Sequence, residues 1–155
     1  MTKLEIAQEI KSTEAKLDEL KKMAENAENA ENAEKRSIMD KIKSFDDACQ
    51  SPHLTKEDLW FIPYQDQMPA NSLNYEKWKV IAKALNEGHV FTMNPSEKRW
   101  YPWFDVSSGF VFFNTNYDDS HADAASASSL CFKTEELVVY FCEQFIEVCK
   151  GVIML

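Results

Sequence analysis

The sequence predicts an α+β protein: a long N-terminal helix of coiled-coil type, then a small domain in which two helices pack a short antiparallel sheet. Three observations carry this. Residues 2–50 contain neither glycine nor proline and are mostly Ala, Glu, Lys and Leu, which is helix chemistry. Amphipathic helical spacing returns around Trp78–Leu85 and again around Leu137–Val148. Between these, residues 99–113, RWYPWFDVSSGFVFF, place seven aromatic rings around a Ser-Ser-Gly turn, the pattern of a β-hairpin.

Each element has its own signal. Thr2 with Glu5 fits a capping box at the start of the first helix. Apolar residues then recur at Ile6, Ile10, Leu17, Leu20, Ala24 and Ala27, with Thr13 in phase, a four-and-three spacing that makes a narrow seam. The same phase returns at Ile38 and Phe45. Residues 24–34, AENAENAENAE, repeat every three residues, so the alanine stripe drifts around a helix and the seam weakens there. Two readings stand: one helix of about 70 Å at 1.5 Å per residue, or a helical hairpin whose turn is the repeat. The absence of Gly and Pro favours the continuous helix.

Gln50-Ser51-Pro52 ends the segment, because proline disfavours helical geometry in the residue before it. The expected division is therefore a helical oligomerisation segment at 1–50 and a compact α+β domain at 51–155. Thr55 to Asp58 caps a short helix through Trp60 and Phe61, stopped by Pro63, and residues 64–74 read as linker. A helix from about Tyr75 to Glu87 buries Trp78, Ile81, Ala82 and Leu85, and Gly88 closes it with a left-handed residue. Strands at Trp100–Val106 and Phe110–Asn114 follow, with Leu130–Phe132 as a third candidate. Thr134 then caps a last helix with Leu137, Phe141, Phe145 and Val148 on its buried face. The apolar terminus Val152–Leu155 calls for burial, in the core or against another subunit.

Composition narrows the function. A net charge of −9 repels phosphate backbones and anionic membranes, so neither nucleic acid nor membrane is expected as a partner. No leading apolar stretch resembles a signal peptide, so the expected location is the cytoplasm of the producing cell. Cys49, Cys131, Cys142 and Cys149 are expected to stay as free structural thiols, with no basic residue placed to activate one. Gly88, Gly109 and Gly151 are too few and too scattered for a phosphate-binding loop.

His121, in DDSHAD with Asp118, Asp119 and Asp123, is the best metal candidate. The calcium-loop pattern nevertheless fails: Asp119 stands where glycine is required and Ala125 at the twelfth position. No metal, cofactor or catalytic residue is expected, and the chain reads as a non-enzyme. Strand alternation assigns Trp100, Pro102, Phe104 and Val106 to the core. It leaves Tyr101, Trp103 and Asp105 on the opposite face as candidate partner-binding residues, since Trp and Tyr bring large contact area with a polar handle. The candidate oligomerisation residues are Ile6, Ile10, Leu17, Leu20, Ile38 and Phe45.

Four segments, SFDDAC at 44–49, WKVIAKALNEG at 78–88, YPWFDVSSGF at 101–110 and LCFKTEELVVYFCEQF at 130–145, resemble a family of small uncharacterised proteins encoded by phages and prophage-like elements of gut bacteria. The resemblance implies a phage context and brings no catalytic residues. It does not explain the AEN repeat. The expected role is a homo-oligomer acting through protein–protein contacts, such as a virion component; the alternative is an acidic effector that binds and blocks a host protein.

Overall fold

The computed structural model describes residues 13–26, 31, 38–92, 94, 96–107, 109–118 and 128–154. Contacts divide the chain into two units, residues 1–37 and 38–155. In the first, helix α1 covers residues 13–26, about 21 Å at 1.5 Å per residue. Every residue of α1 is exposed. The Thr2–Glu5 cap, Ile6, Ile10 and most of the AEN repeat lie outside the described residues.

The second unit begins with a helical turn at 38–41, and the expectation of one unbroken helix to Gln50 is overturned here. Ser44 adopts an extended conformation and caps a separate helix, α2 (Phe45–Cys49). Its hydroxyl accepts from the Asp47 N–H at 3.1 Å, while Asp47 Oδ2 accepts from the Ser44 N–H at 2.8 Å. The carbonyls freed before the break are taken up from across the fold. The Tyr140 hydroxyl lies 2.7 Å from both Met39 O and Ile42 O, its one proton shared between them, and Gln144 Nε2 donates to Lys43 O at 2.7 Å. Ile38 and Phe45, expected on the oligomerisation seam, pack against the core instead.

Pro63 does not stop a helix. It sits at the start of a 3₁₀ segment, Ile62–Gln67, where a missing N–H removes no bond. Before it, Asp58 Oδ2 accepts from Thr55 N–H at 2.7 Å and Thr55 Oγ at 2.9 Å, so the expected cap forms a turn rather than a helix. The supposed linker continues directly into α3 (Ala70–Leu85), which starts behind Pro69 and is longer than the apolar spacing indicated. Helix α3 is the centre of the domain: Trp78, Val80, Ile81, Ala82, Ala84 and Leu85 are all buried. Its end is a Schellman-type closure, with Gly88 N–H on Lys83 O at 3.0 Å and Glu87 N–H on Ala84 O at 3.1 Å. Both Glu87 (φ +54°) and Gly88 (φ +73°) are left-handed.

The sheet has two antiparallel strands, β1 (Arg99–Asp105) and β2 (Val111–Asp118), with a bulge where Trp103 pairs Asn114 but Phe104 pairs Phe112. The third strand candidate contributes a single bridge: Trp100 and Phe132 exchange backbone hydrogen bonds at 2.9 and 2.7 Å. Trp78 of α3 and the residue that caps its C-terminus, Asn86, hold that segment. Trp78 Nε1 donates to Leu130 O at 3.1 Å, while Asn86 donates to Cys131 O and accepts from Lys133 N, each at 2.8 Å. Asn86 is buried, and these bonds satisfy its amide.

The expected single last helix is two, α4 (Glu135–Gln144) and α5 (Ile146–Ile153). Thr134 caps the first as its sequence signalled. No Gly or Pro marks the break at Phe145, whose ring is buried against Phe141 with centroids 5.8 Å apart. Helix α3 packs on α5, and Gly151 makes room for it: a Cβ there would lie 2.1 Å from the Asn74 amide. The core cluster gathers Phe61, Phe132, Leu137, Phe141 and Cys149 around α3. At the terminus Val152 packs on this core, but Ile153 and Met154 are exposed. No described helix is long and apolar enough to cross a membrane.

Candidate interaction site

The hairpin is held by its inner face. Trp100, Phe104, Phe110 and Phe112 are partly buried against the core, and Thr115 Oγ donates to Glu135 Oε1 of α4 at 2.6 Å. Phe104 and Phe110 stack with centroids 4.6 Å apart, and Trp100 lies 4.9 Å from Tyr117. Lys98 Nζ sits over the Tyr117 ring at 4.1 Å, a cation–π contact that closes the base of the hairpin.

The outer face divides the three candidate binding residues. Trp103 is exposed at 53%. Tyr101 is partly buried, its hydroxyl donating to Asp118 at 3.4 Å. Asp105 is engaged in the turn: its carboxylate accepts from the Ser107 hydroxyl at 2.6 Å and the Ser107 N–H at 2.8 Å, which hold it below its ordinary pKa. Of the three, the side chain turned to solvent is Trp103.

Two further side chains join it, one of them, Val106, against its assignment to the core by strand alternation. Val106, placed with the core, is exposed beyond the strand end, and Phe113 is 72% exposed. The bulge is the reason, since Phe113 is the extra residue on β2 and the two-residue period slips there. Val111, paired with Asp105, is exposed as well. The distal half of the hairpin thus presents four solvent-facing apolar side chains, Trp103, Val106, Val111 and Phe113.

The free backbone edge beside this patch is closed by the strand itself. Trp100 turns its N–H and C=O toward Phe132, and Pro102 has no N–H, so their partners Tyr117 and Thr115 point their N–H groups away from β1. Each is satisfied by the preceding side chain: Thr115 N–H by Asn114 Oδ1 and Tyr117 N–H by Asn116 Oδ1, both at 2.8 Å. Asparagine in this strand blunts the edge against addition of another strand. The patch therefore offers side chains rather than backbone.

On α1, the seam residues Leu17 and Leu20 are 51% and 62% exposed, with Met23 beside them. His121, Asp119 and Asp123 lie outside the described residues; among the described residues no cluster could hold a metal. All four cysteines are free. Sequence placed no base near a thiol, yet Arg99 faces Cys131 and Lys77 faces Cys49. Burial outweighs them: it pushes Cys131 up to about 12, assisted by Asp118, and raises Cys49 as well. A hydrogen bond with Cys149, then burial, raises Cys142. Thiols so shifted are poor nucleophiles. No family model, no curated protein and no solved structure matches the chain.

Proposed function

We propose that the protein is a non-enzymatic homo-oligomer that acts through protein–protein contacts, with the N-terminal helix gathering copies through the seam that includes Leu17 and Leu20. The observation that carries this reading is the exposure of those leucines on a helix described over 14 residues. Every described side chain of that helix is exposed, and leucines at four-and-three spacing gain most by packing into a partner helix. The phage resemblance suggests a structural role such as a virion component.

Sedimentation equilibrium of the full chain at micromolar concentration tests the proposal. An oligomer is expected for the parent, and a lower mass for the double variant Leu17→Ser, Leu20→Ser. A monomeric parent overturns the reading.

The hairpin patch favours a second reading, an acidic effector that blocks a host protein. Trp103 and Phe113 would supply the anchor, and the net charge of −9 would draw a basic surface. A captured host protein that remains bound after Trp103→Ala counts against it.

A further inference from the structure

A cleft of about 370 Å³ opens between the turn at 56–61, one face of α3 and residues 89–91, a volume suited to a small ligand or a single side chain. One wall is aromatic. Trp60 is 52% exposed, and its neighbour Phe61 is fully buried and meets the indole edge-on with centroids 6.2 Å apart. Phe61 therefore fixes the turn while Trp60 stays in the cleft, flanked by Phe91 and Val90.

The charges in the cleft are unevenly matched. Lys83 Nζ donates to both oxygens of Asp58, at 2.9 and 2.8 Å, and Lys79 pairs with Glu76 at 2.8 Å. His89 at the rim is bound to Glu97 at 2.6 Å. Both lysines are thus engaged, whereas the Glu57 carboxylate has no ion-pair partner among the described residues. The lining carries three carboxylates, Glu57, Asp58 and Glu76, against two ammonium groups, an excess of negative charge beside a half-exposed indole.

We propose that this cleft binds a guanidinium group on an alkyl stem, the cation resting on Trp60 with Glu57 as its counter-charge and the stem lying against Val90 and Phe91. An anion is disfavoured by the carboxylate excess. A planar, weakly hydrated guanidinium stacks on an indole and meets a carboxylate at once, which a compact ammonium does less well. A free alkylguanidine and an arginine side chain share this chemistry. No described residue of α1 or the hairpin lines the cleft, so the proposal can be tested apart from the oligomer.

Titration of the full chain with butylguanidinium, followed by ¹H–¹⁵N NMR of the indole N–H signals, tests it. The Trp60 signal, assigned by its loss in Trp60→Phe, should move saturably. The Trp78 signal, bonded to Leu130 O, should stay fixed and report an intact fold. Glu57→Gln should weaken binding roughly fivefold, and neutral butylurea should bind about tenfold more weakly than butylguanidinium. A stationary Trp60 signal, or equal binding of butylurea, overturns the proposal. An arginine-containing pentapeptide that binds more tightly than butylguanidinium identifies a peptide as the source of the cation; weaker binding identifies a free small cation.

Discussion

Leu17 and Leu20 stand in the same four-and-three phase as Ile38 and Phe45, yet the two pairs meet opposite environments. The first pair is exposed on α1, while the second packs against the core. Phe45 lies 6.2 Å from Phe61 and beneath Lys77, and Ile38 belongs to a helical turn in which Tyr140 meets Met39 O, while Gln144 meets Lys43 O just after it. Periodicity reports which side of a helix is apolar. What covers that side is decided by where helices start and stop, and Ser44 starts a separate helix, α2, that turns Phe45 onto the core.

Substitution of Phe45 should separate the two pairs most strongly. Phe45→Ala should destabilise the domain by about 2 kcal/mol, since a partly buried ring loses its packing, whereas Leu20→Ala should leave domain stability unchanged and weaken only self-association. Urea denaturation read by tryptophan fluorescence is the suitable measurement, because all four tryptophans lie in the second unit. Equal effects of the two variants would break the comparison.

A smaller effect is expected at the boundary. Ser44→Ala removes the hydroxyl of the capping box and should cost about 1 kcal/mol in the same experiment. An effect near zero would mean that Tyr140 and Gln144 alone hold the break.

Acid sharpens the contrast last. Asp47 and Glu97 have lowered pKa values, Asp47 through the Ser44 hydroxyl and then the Lys43 N–H, Glu97 through the Thr92 N–H and then its hydroxyl. For Asp58 burial pushes upward, but hydrogen bonds from Lys83 and Thr55 outweigh it and the pKa falls. A folded pKa below the unfolded one contributes stability that is present above the ordinary carboxylate range, near about 4. That stability is lost as pH falls through the lowered values. Melting temperature by tryptophan fluorescence should therefore hold level from pH 7 to about 5 and decline below about 4; a rise on acidification contradicts these bonds.

Much of the fold was legible because its signals are local. The apolar face of α3, the Thr134 cap and the left-handed Gly88 each follow from a few adjacent residues. The Ser44–Asp47 box was equally local, an S-x-x-D pattern inside a helix-rich run, and would have located the break. Trp103 was legible as an exposed candidate. Phe113 was not, because a bulge depends on how two strands pair and not on either strand alone.

The sequence by itself determined the α+β class, the amphipathic faces, the acidity and the absence of a phosphate-binding glycine loop, since composition and short-range spacing suffice for these. Tertiary structure alone decided the rest. It packed Ile38 and Phe45 against the core, split the last helix at a buried Phe145, engaged Asn86 with a segment 45 residues away and held Trp60 in a cleft of unbalanced charge. Each of those outcomes depends on side chains distant in sequence competing for the same buried volume or the same polar partner, and no local pattern encodes that competition.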